Sequence, residues 1–205
     1  MPVLSILIPT TPDRQHQFER LYFKILDQVN QLKNQHPSLG EVEILYDNSM
    51  RFLDGGKSIG MKRQGLLDLA TGDNVAFIDS DDDVAPNYTE QLVRGCLVGA
   101  DIVTFKSFIK NDHYWALIDM SLNNLENEEV NPYGSKKRTP WHICPLKREI
   151  AMTHRFNDIN HNEDWEYMQR VLLDVHSETH LDVVLTQYNH SEAGSEADKI
   201  FKQQA

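Results

Sequence analysis

The first hundred residues alternate short apolar runs with longer stretches whose apolar positions recur at helical spacing. Val3 to Ile8 is a continuous apolar run of strand length, halted by Pro9-Thr10-Thr11-Pro12. Phe18, Leu21, Tyr22, Ile25, Leu26, Val29 and Leu32 then follow the spacing of an amphipathic helix, with Asp13 placed as its N-cap. The turn His36 to Gly40 ends that helix, and Val42 to Tyr46 reads as a second strand. A loop containing Gly55-Gly56 leads into a helix from about Ser58 to Ala70, which Thr71-Gly72-Asp73 stops. Asn74 to Ile78 makes a third strand, and Pro86 opens a further helix through about Val98. This order predicts an α/β domain with a mostly parallel central sheet covered by helices on both faces.

The second half is less regular. Ile102 to Phe105 reads as a strand, with His113 to Ile118 as a partner. Residues 121–140 are polar, rich in Asn and Glu, and contain Pro132 and Gly134, so they read as a long loop of the kind that usually serves function. Glu163 to Asp174 suits a helix with Trp165, Met168, Val171 and Leu172 on one face. Val183 to Tyr188 reads as a late strand, and the end from Ser195 as a short helix. With 205 residues and no internal repeat, the chain suits one domain with a single core.

Charge and cysteine usage narrow the function classes. A net charge of −11 disfavours a general nucleic-acid binder, although Lys136-Lys137-Arg138 is a local basic patch. Cys96 and Cys144 are too few and too far apart for a disulfide framework, which points to a reducing compartment. The N-terminal apolar run lacks a basic flank and is too short for a signal segment or a membrane span. A cytoplasmic protein without a membrane span is therefore expected.

The densest chemistry lies at Asp79-Ser80-Asp81-Asp82-Asp83, where a buried strand opens into a loop. Crowded carboxylates disfavour one another's ionisation unless something positive neutralises them, and such a cluster suits a hard divalent cation. Counted from Asp79 as an EF-hand loop, carboxylates fall at positions 1, 3 and 5, and Glu90 at position 12. Position 6 is Val84 where that loop needs glycine, position 8 is Pro86, and a strand rather than a helix precedes it. The EF-hand reading is set aside.

Gly60-Met61-Lys62-Arg63, Ala70-Thr71-Gly72, Val75 to Asp82 and Pro86 together resemble the signature of family 2 glycosyltransferases of the GT-A fold. Ser5 to Thr10 and Ile44 to Ser49 extend the resemblance to the first two strands, over roughly the first hundred residues. It implies a single GT-A (Rossmann-like) domain with a nucleotide-binding half, 1–100, and an acceptor and catalytic half, 101–205. It also implies that Asp47 reads the nucleotide base, that Pro9 and Thr10 line the other side of that base, and that Arg63 approaches base and phosphates. Asp79, with Ser80 beside it, matches the ribose and metal position, and Asp81 the direct metal ligand. Asp82 becomes a supporting or acceptor-facing group, while Asp83 and Glu90 become surface residues.

Downstream, Glu163-Asp164 resembles the family's Glu-Asp motif at a helix start, which implies Asp164 as general base and Glu163 as acceptor support. His190 resembles the late histidine that completes a metal or diphosphate site, and Trp141-His142 the donor-sugar and acceptor contacts. The implied activity is inverting, metal-dependent transfer from a nucleotide-diphosphate sugar, most naturally a UDP-sugar, with Mn²⁺ or Mg²⁺. The acceptor class stays open among glycan, small molecule and modified nucleic acid. A nucleotidyltransferase would need a glycine-rich basic loop after the first strand, which Pro9 to Arg14 is not. A non-catalytic sugar-nucleotide or carbohydrate-binding module of the same fold is the other alternative.

Overall fold

The computed structural model describes residues 1–110, 115–125 and 134–189. Three parallel strands, β1 (Leu4–Pro9), β2 (Val42–Asp47) and β3 (Asn74–Phe77), lie in the order β2-β1-β3. Helix α1 (Gln15–Gln35) joins β1 to β2 in one direction, and α2 (Ile59–Leu69) returns from β2 across β1 to β3. Right-handed crossovers running in opposite directions put these helices on opposite faces. The strands read as unbroken apolar runs because both faces are covered, and Leu4 to Ile8 is buried throughout.

Antiparallel pairings enter only with later strands. β4 (Asp83–Val84) pairs with β9 (Glu178–Asn189), and β8 (Leu146–Lys147) pairs with both β3 and β5 (Ile102–Lys110). β6 (Trp115–Met120) runs antiparallel to β5, and β7 (Ser135–Arg138) closes the sheet edge parallel to β6. Helix α3 (Tyr88–Leu97) packs with α1, and α5 (Glu163–Val171) with α2, while α4 (Arg148–Ala151) is a single short turn. The result is the expected α/β domain: a mixed, largely parallel central sheet flanked by helices.

Several expected elements differ in extent. Asp13 does not cap α1: it sits in a 3-10 turn, Pro12–Arg14, and its carboxylate pairs with Arg51. β5 and β9 are longer than their apolar cores because they pair parallel to each other from Ile102 to Lys110. Ser135–Arg138 is strand rather than loop. Trp165 is exposed, and α5 buries Tyr167, Met168 and Val171 instead, ending before a 3-10 turn at Leu172–Asp174. The expected helix from Ser195, residue His113 and much of the 121–140 loop lie outside the described residues.

One close approach ties the two halves together. The Gly60 N–H donates to Ile159 O at 3.2 Å, Ser58 Oγ donates to Asp158 Oδ1 at 2.6 Å, and the Ile59 N–H donates to Asn160 Oδ1 at 3.1 Å. A Cβ at Gly60 would lie 1.9 Å from Asn157 O, a backbone atom that cannot rotate away. Gly60→Ala is therefore expected to cost about 1–3 kcal/mol, as overpacking does. A melting temperature unchanged from wild type would contradict this account of the contact.

Candidate active site

Parallel register brings the carboxyl ends of β1, β2 and β3 to one side, with Pro9 opposite Asp47 and Leu7 opposite Phe77. Ligands of open α/β sheets gather at such ends. Pro9 and Thr10 are buried, and the Thr10 N–H bonds Asp47 O at 2.9 Å. Beneath them lies Lys62, almost fully buried, whose Nζ donates to Thr10 O at 2.6 Å and Ser49 O at 2.7 Å. Lys62 thus braces the loops after β1 and β2. Its spacing to Leu66 on the buried stripe of α2 was the available sequence signal.

One helical position on, Arg63 is buried to 3% side-chain exposure. Its NH2 nitrogen meets Asp79 Oδ1 at 2.8 Å, its Nε meets Glu163 Oε1 at 3.1 Å, and its guanidinium lies over the Phe77 ring. Burial opposes the charge, but Asp79, Glu163 and Asp164 outweigh it and raise the pKa further. Arg63 is thus a buried centre for three carboxylates, two of them a hundred residues downstream. NH1 of the same guanidinium has no hydrogen-bond partner among the described residues.

A second cation completes this charge balance. Phe77 N–H bonds His142 O at 3.3 Å, so the segment after Trp141 runs beside β3. The His142 ring nitrogens lie 3.0 Å from Asp164 Oδ2 and 3.6 Å from Asp79 Oδ2, close ion-pair contacts without hydrogen-bond alignment. Burial and Arg63 oppose protonation of this ring, but Asp164 and Asp79 prevail and lift its pKa to about 9. Burial would raise Asp79, yet Arg63 and then His142 hold its carboxyl well below the usual range. Asp164 behaves alike, with His142 and then Arg63 overcoming burial. Glu163 is different: burial pushes it up, only partly offset by Arg63.

The remaining acids of the cluster are less well neutralised. Asp81 Oδ2 meets the Arg14 NH1 nitrogen at 2.9 Å, yet burial, with Asp79 adding to it, leaves its pKa raised. Asp82 is buried, accepts the Asn189 N–H at 3.1 Å, and is pushed up by burial, Asp79 and Asp81. Ser80 Oγ is buried without a partner among the described residues. Asp83 and Glu90 pair outside the cluster with Lys24 and Arg94.

The structure therefore brings together Asp79, Glu163, Asp164 and Arg63, and adds His142 as their second cation. Asp47 stands apart at the β2 end, held by Lys57 Nζ at 2.8 Å and the Ser49 N–H at 2.9 Å. Trp141 lies beside Tyr188, with centroids 6.2 Å apart, and carries Arg138 at 3.6 Å over its ring. His190 lies outside the described residues. Among the described residues, no three His, Cys, Asp or Glu side chains are grouped to hold a metal ion, and no helix is long and apolar enough to cross a membrane.

No protein-family model matches the chain, and no curated protein matches it in sequence. Solved structures do share its fold. The 1–349 fragment of S. aureus TarS in complex with UDP-GlcNAc superposes with a TM-score of 0.62 at 15% identity, over 96% of this chain and 61% of that one. The same fragment in complex with UDP gives a TM-score of 0.56 at 15% identity, over 93% and 61%. S. aureus TarS itself gives 0.58 at 13% identity, over 93% of this chain and 37% of that one. The chain thus spans only about three fifths of the fragment's length, and at these identities the likeness establishes the fold.

Two expectations follow from the charge balance. Arg63→Met strands Asp79 and Glu163 without their cation and should lower unfolding free energy by about 3–5 kcal/mol, with Glu163→Gln recovering part of the loss. Urea titration reads both, and an Arg63→Met protein of wild-type stability would disprove the buried ion-pair account. His142, raised from 6.5 to about 9, contributes stability in full below pH 6.5 and loses it as pH rises through about 9. The loss is on the order of 3 kcal/mol in metal-free buffer, and His142→Gln should flatten that alkaline limb. Asp79 and Asp164, held below their ordinary 3.8, act oppositely: their contribution is present above about pH 4 and is lost in acid.

Proposed function

We propose that the protein is a glycosyltransferase that moves a sugar from a nucleotide-diphosphate donor, a UDP-sugar, to an acceptor hydroxyl with inversion. The observation carrying this reading is the convergence of Asp79, Glu163 and Asp164 on Arg63 at the carboxyl ends of the parallel strands. The shared fold with a structure that holds UDP-GlcNAc supports the donor class. With order β2-β1-β3, Asp47 ends β2 and Asp79 lies two residues past β3, on strand lines two spacings apart, roughly 10 Å. That span suits a nucleotide with its base toward Asp47 and its phosphates toward the acidic cluster.

In the proposed step, the acceptor oxygen attacks the anomeric carbon while its proton passes to an Asp164 carboxylate oxygen. The bond from that carbon to the phosphate oxygen breaks, and its electron pair leaves with UDP. His142 and Arg63 keep Asp164 ionised and ready to accept a proton. So low a pKa makes a weak base, and the negative charge of a bound diphosphate would shift it upward. Arg63 NH1, buried and unpartnered among the described residues, is a group this chain offers to that anion.

Mg²⁺ or Mn²⁺ fits the cluster by charge rather than by a ready-made cage. Burial and then the neighbouring carboxylates raise Asp81 and Asp82, so a cation placed beside them would favour their ionised forms. Asp81, with Asp79 behind it, would hold the ion, which usually takes one or two carboxylates plus substrate phosphates. When bound, it would neutralise charge on the departing diphosphate.

With UDP-sugars as donors, Asp164→Asn and Asp81→Ala are each expected to reduce UDP release by 100-fold or more, of the order that general-base loss brings, while circular dichroism stays native. Near-normal turnover of Asp164→Asn would remove it as the base. A thermal-shift screen of UDP-, GDP-, TDP- and CMP-sugars with and without Mn²⁺ tests the donor directly.

A further inference from the structure

Lys57 lies on no strand or helix and belongs to none of the matched motifs, yet its backbone is closely held. Its N–H bonds Met50 O at 3.2 Å, the Gly56 N–H bonds Arg51 O at 2.8 Å, and Arg51 and Lys57 form an isolated bridge. Gly55 turns the chain at φ 79°, and a Cβ at Gly56 would lie 2.0 Å from Met50 O, so only glycine fits that close approach. Arg51 in turn pairs with Asp13, fastening this loop to the connection after β1. Pro12, Asp13, Met50, Arg51 and Asp54 line an open cavity of about 240 Å³ between the two. The loop thus returns Lys57 to the end of β2, where Nζ sits 2.8 Å from Asp47 Oδ2.

We infer that Lys57 and Asp47 act as one base-reading pair that selects uracil or thymine. This rests on the donor reading above. A lone carboxylate accepts from any ring N–H, so Asp47 by itself would take N1–H of guanine as readily as N3–H of uracil. Its two oxygens are engaged once each, by Ser49 N–H and Lys57, which leaves lone pairs for a further donor. The pair therefore presents an acceptor beside a donor. The N3–H of uracil or thymine has a carbonyl oxygen on either side, so the edge matches in both orientations. With the base seated so that its ring nitrogen faces Asp47, as the N3–H of uracil would be, cytosine and adenine bring a lone pair to the carboxylate, and guanine matches on one side only. Lys57 is half-exposed, so it can shift to a carbonyl oxygen without unfolding anything.

Titration calorimetry of uridine, UDP, GDP and CDP against wild type and Lys57→Met tests the pair. Lys57→Met should weaken uridine and UDP by the same factor, tenfold or more, as loss of a charged hydrogen bond brings. CDP binding should stay nearly unchanged, and GDP should lose less than UDP. Unchanged or tighter UDP binding in the variant would overturn the assignment. So would a loss for UDP without a loss for uridine, because Lys57 would then be serving the diphosphate. If wild type binds no uridine and no UDP, the donor reading fails and the Lys57 assignment falls with it. Wild-type binding with an indifferent variant sinks the Lys57 assignment alone.

Discussion

A guanidinium buried in the middle of a protein has to be neutralised where it stands, and the architecture around Arg63 answers that demand. It draws the end of β3 through Asp79 and the start of α5 through Glu163 onto one face of α2. His142 is required by the same logic in reverse, since Arg63 alone cannot balance Asp79, Glu163 and Asp164. The Phe77 ring under the guanidinium and near the imidazole closes the arrangement with apolar surface. Asp79 follows β3, Glu163 and Asp164 open α5, and His142 lies on the segment beside β3, so the ion-pair set fixes how those parts meet.

The same balance sorts the acids into two kinds. Asp79 and Asp164 are kept ionised by cations inside the protein, whereas Asp81 and Asp82 remain short of positive charge. The first kind has a structural role whether or not a ligand is bound. The second kind leaves a deficit that an external cation or a reorganised Arg14 could meet. An acidic cluster that looks uniform in sequence is therefore divided in function by what lies behind it.

What was legible in the sequence was local. The run from Val75 into the aspartates could be read because strand, turn and acids are contiguous, and the βαβ order followed from periods of two kinds. Arg63 was visible as a position, but its partners are 16 and 100 residues away, so its buried bridging role was not. The resemblance placed Trp141-His142 among donor-sugar and acceptor contacts, but nothing local marks His142 as the second cation, because Asp79 and Asp164 are distant in sequence. β7, Ser-Lys-Lys-Arg, shows in sequence as a basic patch and not as a strand, because an edge strand needs no apolar alternation. β9 was read too short because its first half, with Glu178, His180 and Asp182, turns polar groups to solvent and to Thr104 and Ser121.

The contact of Gly60 with the 157–160 segment also bears on motion. It stitches the start of α2 to the chain leading into α5, so Arg63, Glu163 and Asp164 ride on one rigid block. Any closure of the protein around a small molecule must then come from walls outside this block. The reacting groups would stay still while the enclosure moves about them, so their spacing is set when the chain folds.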